Sequence, residues 1–516
     1  MPNSEIDNIA SEREVFENLF KSIDEKGQGY IIKSQILELF KKRGILKDDS
    51  RITGIISELD EFSRNDKITL DDFINITSKH ASIIDRVIKG NLVIPDFDAF
   101  SKNIKNIYKK IEQNTDGDVA RYIPQLARVD PDQLAISICT IDGQRLSIGD
   151  TDTQYCVQST CKPINYCIAM ELNGEDVVHE HVGREPSGRS FNEIALNRRN
   201  RPHNPMINAG AIMSSSLIKP QESLADRFDH VMSVWKNLSG GVRPGYNNSV
   251  YHSEKETADR NFALAHYMRE VDAFPKNTSI SETLDFYFQS CSIEVNADNM
   301  ATIAATFANS GVCPTTEKKV FSPDTVKNCL SLMYSCGMYD FSGEFAFSVG
   351  VPAKSGVSGA LMIVIPNVMG IAVWSPRLDE MGNSVRGVDF CKELIKKFNF
   401  HNYDSLVGQS DKIDPRNNQS LLHTSQTFSL IWAASQGDID EIKRLVAYGV
   451  DVNAGDYDQR TALHLAASEG NAEAVSLLLH KDAKLNVKDR FGNTPLMDAK
   501  ANKHDNVIKV INEFKK

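Results

Sequence analysis

No stretch of this 516-residue chain is apolar for long enough to cross a bilayer as a helix. There is no basic excess either. Lysine and arginine number 58 against 69 acidic residues, the net charge is -11 and the pI is about 5.6. Phosphate backbones and acidic membranes bind basic surfaces, so both are excluded as main partners. Metal-ligand spacing is missing too. The nine cysteines lie between Cys139 and Cys391 with no C-x-x-C pair and no Cys/His cluster. Their odd number and scatter argue against a zinc site or a disulfide framework, and they read as free thiols in a reducing compartment. The start, Met1-Pro2-Asn3-Ser4-Glu5-Ile6-Asp7, is neither a signal peptide nor an Arg-rich transit peptide, so the expected location is cytoplasmic.

What is present describes an ordinary globular composition, 41% hydrophobic and 25% charged, long enough for two to four domains. Residues 1–90 alternate apolar helical faces with polar turns. Val15, Phe16, Leu19 and Ile23 suit one face, and Ile36, Leu37, Leu39 and Phe40 another. Asp24 to Ile31 resembles an EF-hand loop with Gly29 at the turn and Ile31 at the strand position. Its ligand chemistry fails, because Lys26 and Gln35 occupy positions that need oxygen donors and a bidentate Glu. The second loop, Glu61 to Asp72, places Phe62, Ser63 and Arg64 among its early positions. The expectation is a degenerate EF-hand-like helical region used for contacts.

Residues 91–120 read as a linker and 121–405 as a mixed domain. Leu134 to Ile141 is a strand running into an Asp142-Gly143 turn, with Gln144 to Ile148 returning. Phe345 to Val349, Ala360 to Val364 and Val368 to Trp374 read as further strands. Strands among long helices predict an α+β core with an antiparallel sheet. After a second linker, 406–425, residues 426–516 repeat. Ala433, Ala466 and Ala499 are spaced by 33, as are Gly437 and Gly470, and Thr461 and Thr494. Thr461-Ala462-Leu463-His464-Leu465-Ala466 and Thr494-Pro495-Leu496-Met497-Asp498-Ala499 carry the ankyrin signature, with Lys509, Lys515 and Lys516 suited to a solvated end cap. Such repeats bind protein partners or brace their neighbours.

The chemistry lies in the middle. Ser159-Thr160-Cys161-Lys162 is an S-x-x-K element, and Lys354-Ser355-Gly356 follows much later, the layout of serine acylation. S-x-x-K also occurs at Ser216/Lys219 and Ser233/Lys236. Pro163 separates the three, since proline belongs in a first helical turn. Ser159 then sits at a helix start with Lys162 one turn on, where oriented N–H groups meet developing charge and a desolvated lysine can act as base. The other two serine–lysine pairs are expected to be solvated. Tyr287 and Tyr339 are candidate proton relays.

Six motifs converge on one family. Tyr122-Ile123-Pro124-Gln125-Leu126-Ala127, the Ser159/Lys162 element, Pro202 to Ala211, Ser253-Glu254 to Phe262, Ser335 to Gly343 and Pro352 to Gly359 resemble the glutaminases, and the three-part layout resembles the animal phosphate-activated kidney and liver types. The resemblance implies a serine-dependent β-lactamase-like fold and hydrolysis of L-glutamine to L-glutamate and ammonia. It makes Ser159 the nucleophile, Lys162 its activator, and Tyr339 and Tyr287 the proton-relay and site-shaping phenols. Tyr122, Gln158, Asn208, Glu254 and Asn261 become substrate binders, and the N–H groups of Ser159 and Val357 the oxyanion hole. It further implies a homotetramer, no resident cofactor or metal, inorganic phosphate as activator, and leaves a mitochondrial location open. Glu185 to Leu196 resembles the family's gating loop, with smaller residues at Ile194 and Ala195 than the kidney type carries. Arg198, Arg199 and Arg201 are the expected neighbourhood of phosphate. The rivals are another S-x-x-K hydrolase, such as a penicillin-recognising enzyme, and an inactive ankyrin scaffold.

Overall fold

The computed structural model describes residues 16–514 apart from 18–19, 22, 25–26, 62–66, 79–85, 88–91, 189–191, 407–410, 417–418 and 448–449. Val15, Leu19, Lys26, Phe62, Ser63, Arg64, Lys515 and Lys516 lie outside the described residues, as do positions 189–191 of the expected gating loop. The chain forms two units, one of residues 1–404 with 412–414 and one of residues 405–411 with 415–516.

The first unit begins with the helical region. Asp24 accepts from the N–H groups of Gln28 and Gly29 at 2.9 and 2.7 Å, as an EF-hand loop's first residue does. Strand β1 (Ile31–Ile32) pairs with β2 (Lys67–Ile68), joining the two loops as the expected helical pair. Helices Lys33–Lys42, Thr53–Asp60 and Leu70–Ser78 bury Ile36, Phe40, Ile55, Leu59 and Phe73 beneath them. This region is fastened to the neighbouring sheet. Arg145 makes a two-pronged contact with Asp48 at 2.8 and 2.6 Å, and Gln144 bonds the carbonyls of Arg43 and Ile94 and the N–H of Ile94.

The segment 91–120 is more than a linker. It carries α1 (Phe97–Ile111), capped by Asp96, whose apolar stripe of Phe97, Phe100, Ile104, Ile107 and Ile111 is buried. A 3.6-residue period in a charged sequence is easily overlooked, but lysines on the outer face are what such a helix needs.

The central sheet has five antiparallel strands in the order β4 (Arg145–Gly149), β3 (Ala135–Thr140), β10 (Met369–Trp374), β9 (Ala360–Ile365), β8 (Ala353–Ser355). The Asp142-Gly143 hairpin and the strands at 360–365 and 369–374 match the sequence expectation. Alternate residues of β9 serve two cores. Leu361, Ile363 and Ile365 pack with α1 and helix Val385–Lys397, while Ala360, Met362 and Val364 face a helical layer. Both faces of β3, β9 and β10 are covered, so these strands are buried along their whole length.

The helical layer contains α2 (Cys161–Asn173), α3 (Asn208–Ser216), α4 (Asn248–Glu256), α5 (Asp259–Glu270), α6 (Ile280–Cys291) and α7 (Ala297–Ala308). A three-stranded sheet, β5 (Tyr155–Cys156), β7 (Ile293–Val295) and β6 (Gly245–Tyr246), sits beside it. Residues 342–348 correct the sequence expectation: they form α8 (Ser342–Ser348), not a strand. The run is short, and its period is helical: Phe345 is buried and Phe347 is 83% exposed.

The second unit consists of helix pairs. Helices Gln419–Gln436 and Ile439–Ala447, Ala462–Ser468 and Ala472–His480, and Pro495–Ala501 and Asp505–Phe514 make three repeats, the first starting inside the expected linker. Ala433, Ala466 and Ala499 are all buried at their equivalent positions. Lys509 is exposed, as a cap residue should be.

Sheet and helical layer press closely together at Gly370. A Cβ there would lie 2.0 Å from the Ala305 nitrogen of α7. Gly370→Ala is expected to cost about 3 kcal/mol, read as a lowered Tm. An unchanged Tm would contradict this packing.

Candidate active site

The turn Gln158–Thr160 is a single 3-10 turn feeding directly into α2. It leaves Ser159 at the helix start with Lys162 one turn on, as the Pro163 position predicts. Gln158 holds φ 49 and Tyr339 φ 54, left-handed backbone that non-glycine residues adopt at a cost. Both flank the same serine. Burial raises the Tyr339 pKa, and the Ser159 side chain beside the phenol opposes that rise.

Lys162 is 1% exposed and donates to Asn208 Oδ1 at 2.7 Å. Burial pulls its pKa from 10.5 to about 8. Asn208 also receives a 3.4 Å hydrogen bond from the Tyr287 hydroxyl and donates to Asn261 Oδ1 at 3.1 Å. Burial pushes the Tyr287 phenol well up. One amide therefore orders a lysine, a tyrosine and a second amide.

Lys354 is fully buried. It belongs to β8, pairs opposite Met362, and gives Nζ hydrogen bonds to the carbonyls of Gly337 at 3.1 Å and Ser355 at 2.8 Å. Its ammonium lies 4.5 Å from the Tyr339 ring centre. Burial first, and the charge of Lys162 second, pull its pKa well down.

At the opposite end of the cavity stands Glu254. Its Oε1 accepts from Tyr122 at 2.6 Å and Gln158 Nε2 at 2.9 Å. Burial raises its pKa, and those two hydrogen bonds oppose the rise. Tyr122 keeps 45% of its surface, but its hydroxyl end is desolvated and faces Glu254, which holds the phenol protonated. The cavity between these ends measures about 320 Å³. Tyr122, Gln158, Ser159, Asn208, Glu254, Asn261, Tyr287 and Val357, all predicted site residues, line it. Tyr339 lines an adjoining cavity of about 530 Å³ with Pro186, Ser187 and Gly188 of the expected gating loop. The two other S-x-x-K pairs are not brought here. Ser233 and Lys236 are exposed as expected, but Ser216 is buried and bonds back to the Met213 carbonyl, because α3 is enclosed by its neighbours.

Sequence reasoning missed Asn192, Thr257, Ala258, Arg260 and Cys291 in the cavity wall. Thr257, Ala258 and Arg260 fall inside the Ser253-to-Phe262 motif and Asn192 inside the 185–196 loop, whereas Cys291 carried no signal. Among the described residues no group of three or more metal-ligating side chains is present, and no helix is long and apolar enough to cross a membrane.

Comparison with known proteins decides the assignment. The glutaminase family model matches residues 117–403. The mitochondrial liver isoform of glutaminase from Mus musculus is 43% identical over 502 residues, covering 96% of this chain and 83% of that protein.

The chain belongs to the glutaminase family.

A glutaminase from Nostoc sp. is 44% identical over 312 residues, 60% of this chain and 92% of that protein. The crystal structure of Mglu in its L-glutamate binding form aligns with a TM-score of 0.55 and 36% identity, over 58% of this chain and 67% of that one. Ankyrin repeats match at 385–489 and 430–514, and an EF-hand domain at 15–95. This glutaminase is an amidohydrolase of β-lactamase-like fold that converts L-glutamine to L-glutamate and ammonia.

The buried lysine of this glutaminase has a measurable cost. Between about pH 8 and 10.5 the folded chain holds fewer protons at Lys162 than the unfolded chain, so its stability rises with pH there. Lys162→Met should gain about 2 kcal/mol at pH 7 in urea unfolding, and that gain should shrink toward pH 10. A destabilised variant at pH 7 would show that the lysine is better accommodated than its surroundings imply.

Proposed function

We propose that glutamine is hydrolysed through a glutamyl ester on Ser159. The observation that carries this reading is the contact of the Tyr339 phenol with Ser159, beside a lysine that burial holds at a pKa of about 8. A lysine with that pKa is neutral often enough near neutral pH to take the serine proton. Ser159 then attacks the side-chain amide carbon, and the N–H groups of Ser159 and Val357 receive the oxyanion. Tyr339 passes a proton to the leaving ammonia. Water enters, and cleavage of the ester restores the serine.

The far end of the cavity selects the substrate. Glu254 pairs with the α-ammonium, positioned by Tyr122 and Gln158. Asn208, Asn261 and Tyr287 hold the remaining polar groups of the amino acid. Lys354 keeps the Tyr339 turn against β8.

The same reading extends outward. The assembly is a homotetramer with loop 185–196 near its neighbour, the ankyrin unit binds a protein partner, and no cofactor takes part. The compartment is the cytoplasm, with the mitochondrion of the liver-type relatives as the alternative. Inorganic phosphate activates near Arg198, Arg199 and Arg201, and unchanged activation in Arg199→Ala would contradict that placement.

Ser159→Ala should lower kcat by about 10³-fold or more with an unchanged Tm. Glu254→Gln should raise KM for glutamine about 10- to 100-fold, the worth of one charged hydrogen-bonded contact. Ammonia release that survives Ser159→Ala would overturn the nucleophile. The kcat/KM profile should rise as pH passes about 8, where Lys162 loses its proton. A flat profile from pH 7 to 9 would remove Lys162 as the base.

A further inference from the structure

All nine cysteines are buried free thiols. Two of them meet inside the catalytic domain: Cys161 Sγ lies 3.9 Å from Cys291 Sγ. Cys161 is the first residue of α2, between the Ser159 turn and Lys162. Cys291 is the last residue of α6, one helical turn beyond Tyr287, and it lines the glutamine cavity. The pair therefore bridges the two helices that carry Lys162 and Tyr287, and one of its sulfurs forms part of a wall that small solutes reach.

We propose that Cys161 and Cys291 form a dithiol modification site in the glutamine cavity, closed to a disulfide by peroxide-class oxidants, which stops turnover, and reopened by thiols. The order of steps follows from access. Cys291, at the cavity wall, attacks one peroxide oxygen; the O–O bond breaks, hydroxide leaves, and Cys291 becomes a sulfenic acid. The Cys161 thiol then attacks that sulfur. The S–S bond forms, the S–O bond breaks, and water leaves with the Cys161 proton. In sum, two thiols and one hydrogen peroxide give one disulfide and two waters, and two electrons pass from sulfur to peroxide.

Contact with Cys161 and burial hold the Cys291 thiol protonated, and the charge of Lys162 opposes them. The reaction is accordingly slow, and Lys162 is the neighbouring base that takes the thiol proton. A disulfide needs its sulfurs about 2 Å apart, so closure draws the ends of α2 and α6 together by nearly that distance. Ser159, Lys162 and Tyr287 all sit within one turn of those ends. A shift of about 1 Å in such groups costs on the order of 100-fold in rate.

The test exposes the full-length enzyme to hydrogen peroxide, removes the oxidant with catalase, and reads both turnover and the cysteine linkages by peptide mass spectrometry. Activity should fall about 10-fold or more, return with dithiothreitol, and track a Cys161–Cys291 linkage. L-Glutamate filling the cavity should slow the loss. Cys161→Ala should keep the resting rate and resist inactivation, with Cys161→Val as the alternative should the alanine variant fold poorly. Inactivation of Cys161→Ala at the wild-type rate would overturn the proposal. So would a linkage between two other cysteines, or oxidised Cys291 without Cys161, accompanying the loss in the wild-type enzyme.

Discussion

Two lysines without a carboxylate partner organise this molecule. Lys162 and Lys354 are 1% and 0% exposed, and neither takes part in an ion pair among the described residues. Burying an ammonium without an opposite charge is expensive, and proteins do so where a shifted pKa is useful. Here the compensation comes from neutral oxygens: Asn208 for Lys162, and the carbonyls of Gly337 and Ser355 for Lys354. Neutral acceptors leave the lysines easy to deprotonate, whereas a carboxylate would fix the charge.

The architecture supplies those oxygens from distant parts of the chain. Asn208 opens α3, Gly337 follows helix Pro323–Cys336, and Ser355 ends β8. The Ser355 N–H also bonds the Gly337 carbonyl at 3.1 Å, and a Cβ on Gly337 would lie 1.8 Å from the Ala353 carbonyl oxygen. Helix end and strand are thus pressed together, which accounts for a glycine at that point and for the left-handed Tyr339 just after it. The site lies on the seam between the five-stranded sheet and the helical layer, and neither layer holds a complete set of groups.

Much of this was legible in the sequence, for identifiable reasons. Pro163 marked a helix start, which separated Ser159 from Ser216 and Ser233. The alanines at 433, 466 and 499 exposed the repeat because each must be small where helices pack. The Asp142-Gly143 hairpin announced itself through turn chemistry. What stayed hidden lacked a local signature. The helix at 97–111 wears lysines outside its apolar stripe, and 345–349 is too short for its period to be read with safety. Lys354 stood in its Lys-Ser-Gly motif, but its full burial follows only from the enclosure of β8 by its neighbours. Cys291 has no motif at all: it matters only because the fold brings α6 to the start of α2.

The central claim is that Ser159 carries the glutamyl group during turnover. Its most direct test is rapid acid quenching of the enzyme with excess glutamine, followed by peptide mass spectrometry. The account predicts a mass increment of one glutamyl group on the peptide containing Ser159, absent from Ser159→Ala and absent after turnover is complete. A fully active enzyme that shows no such adduct, or shows it on another residue, would contradict the account.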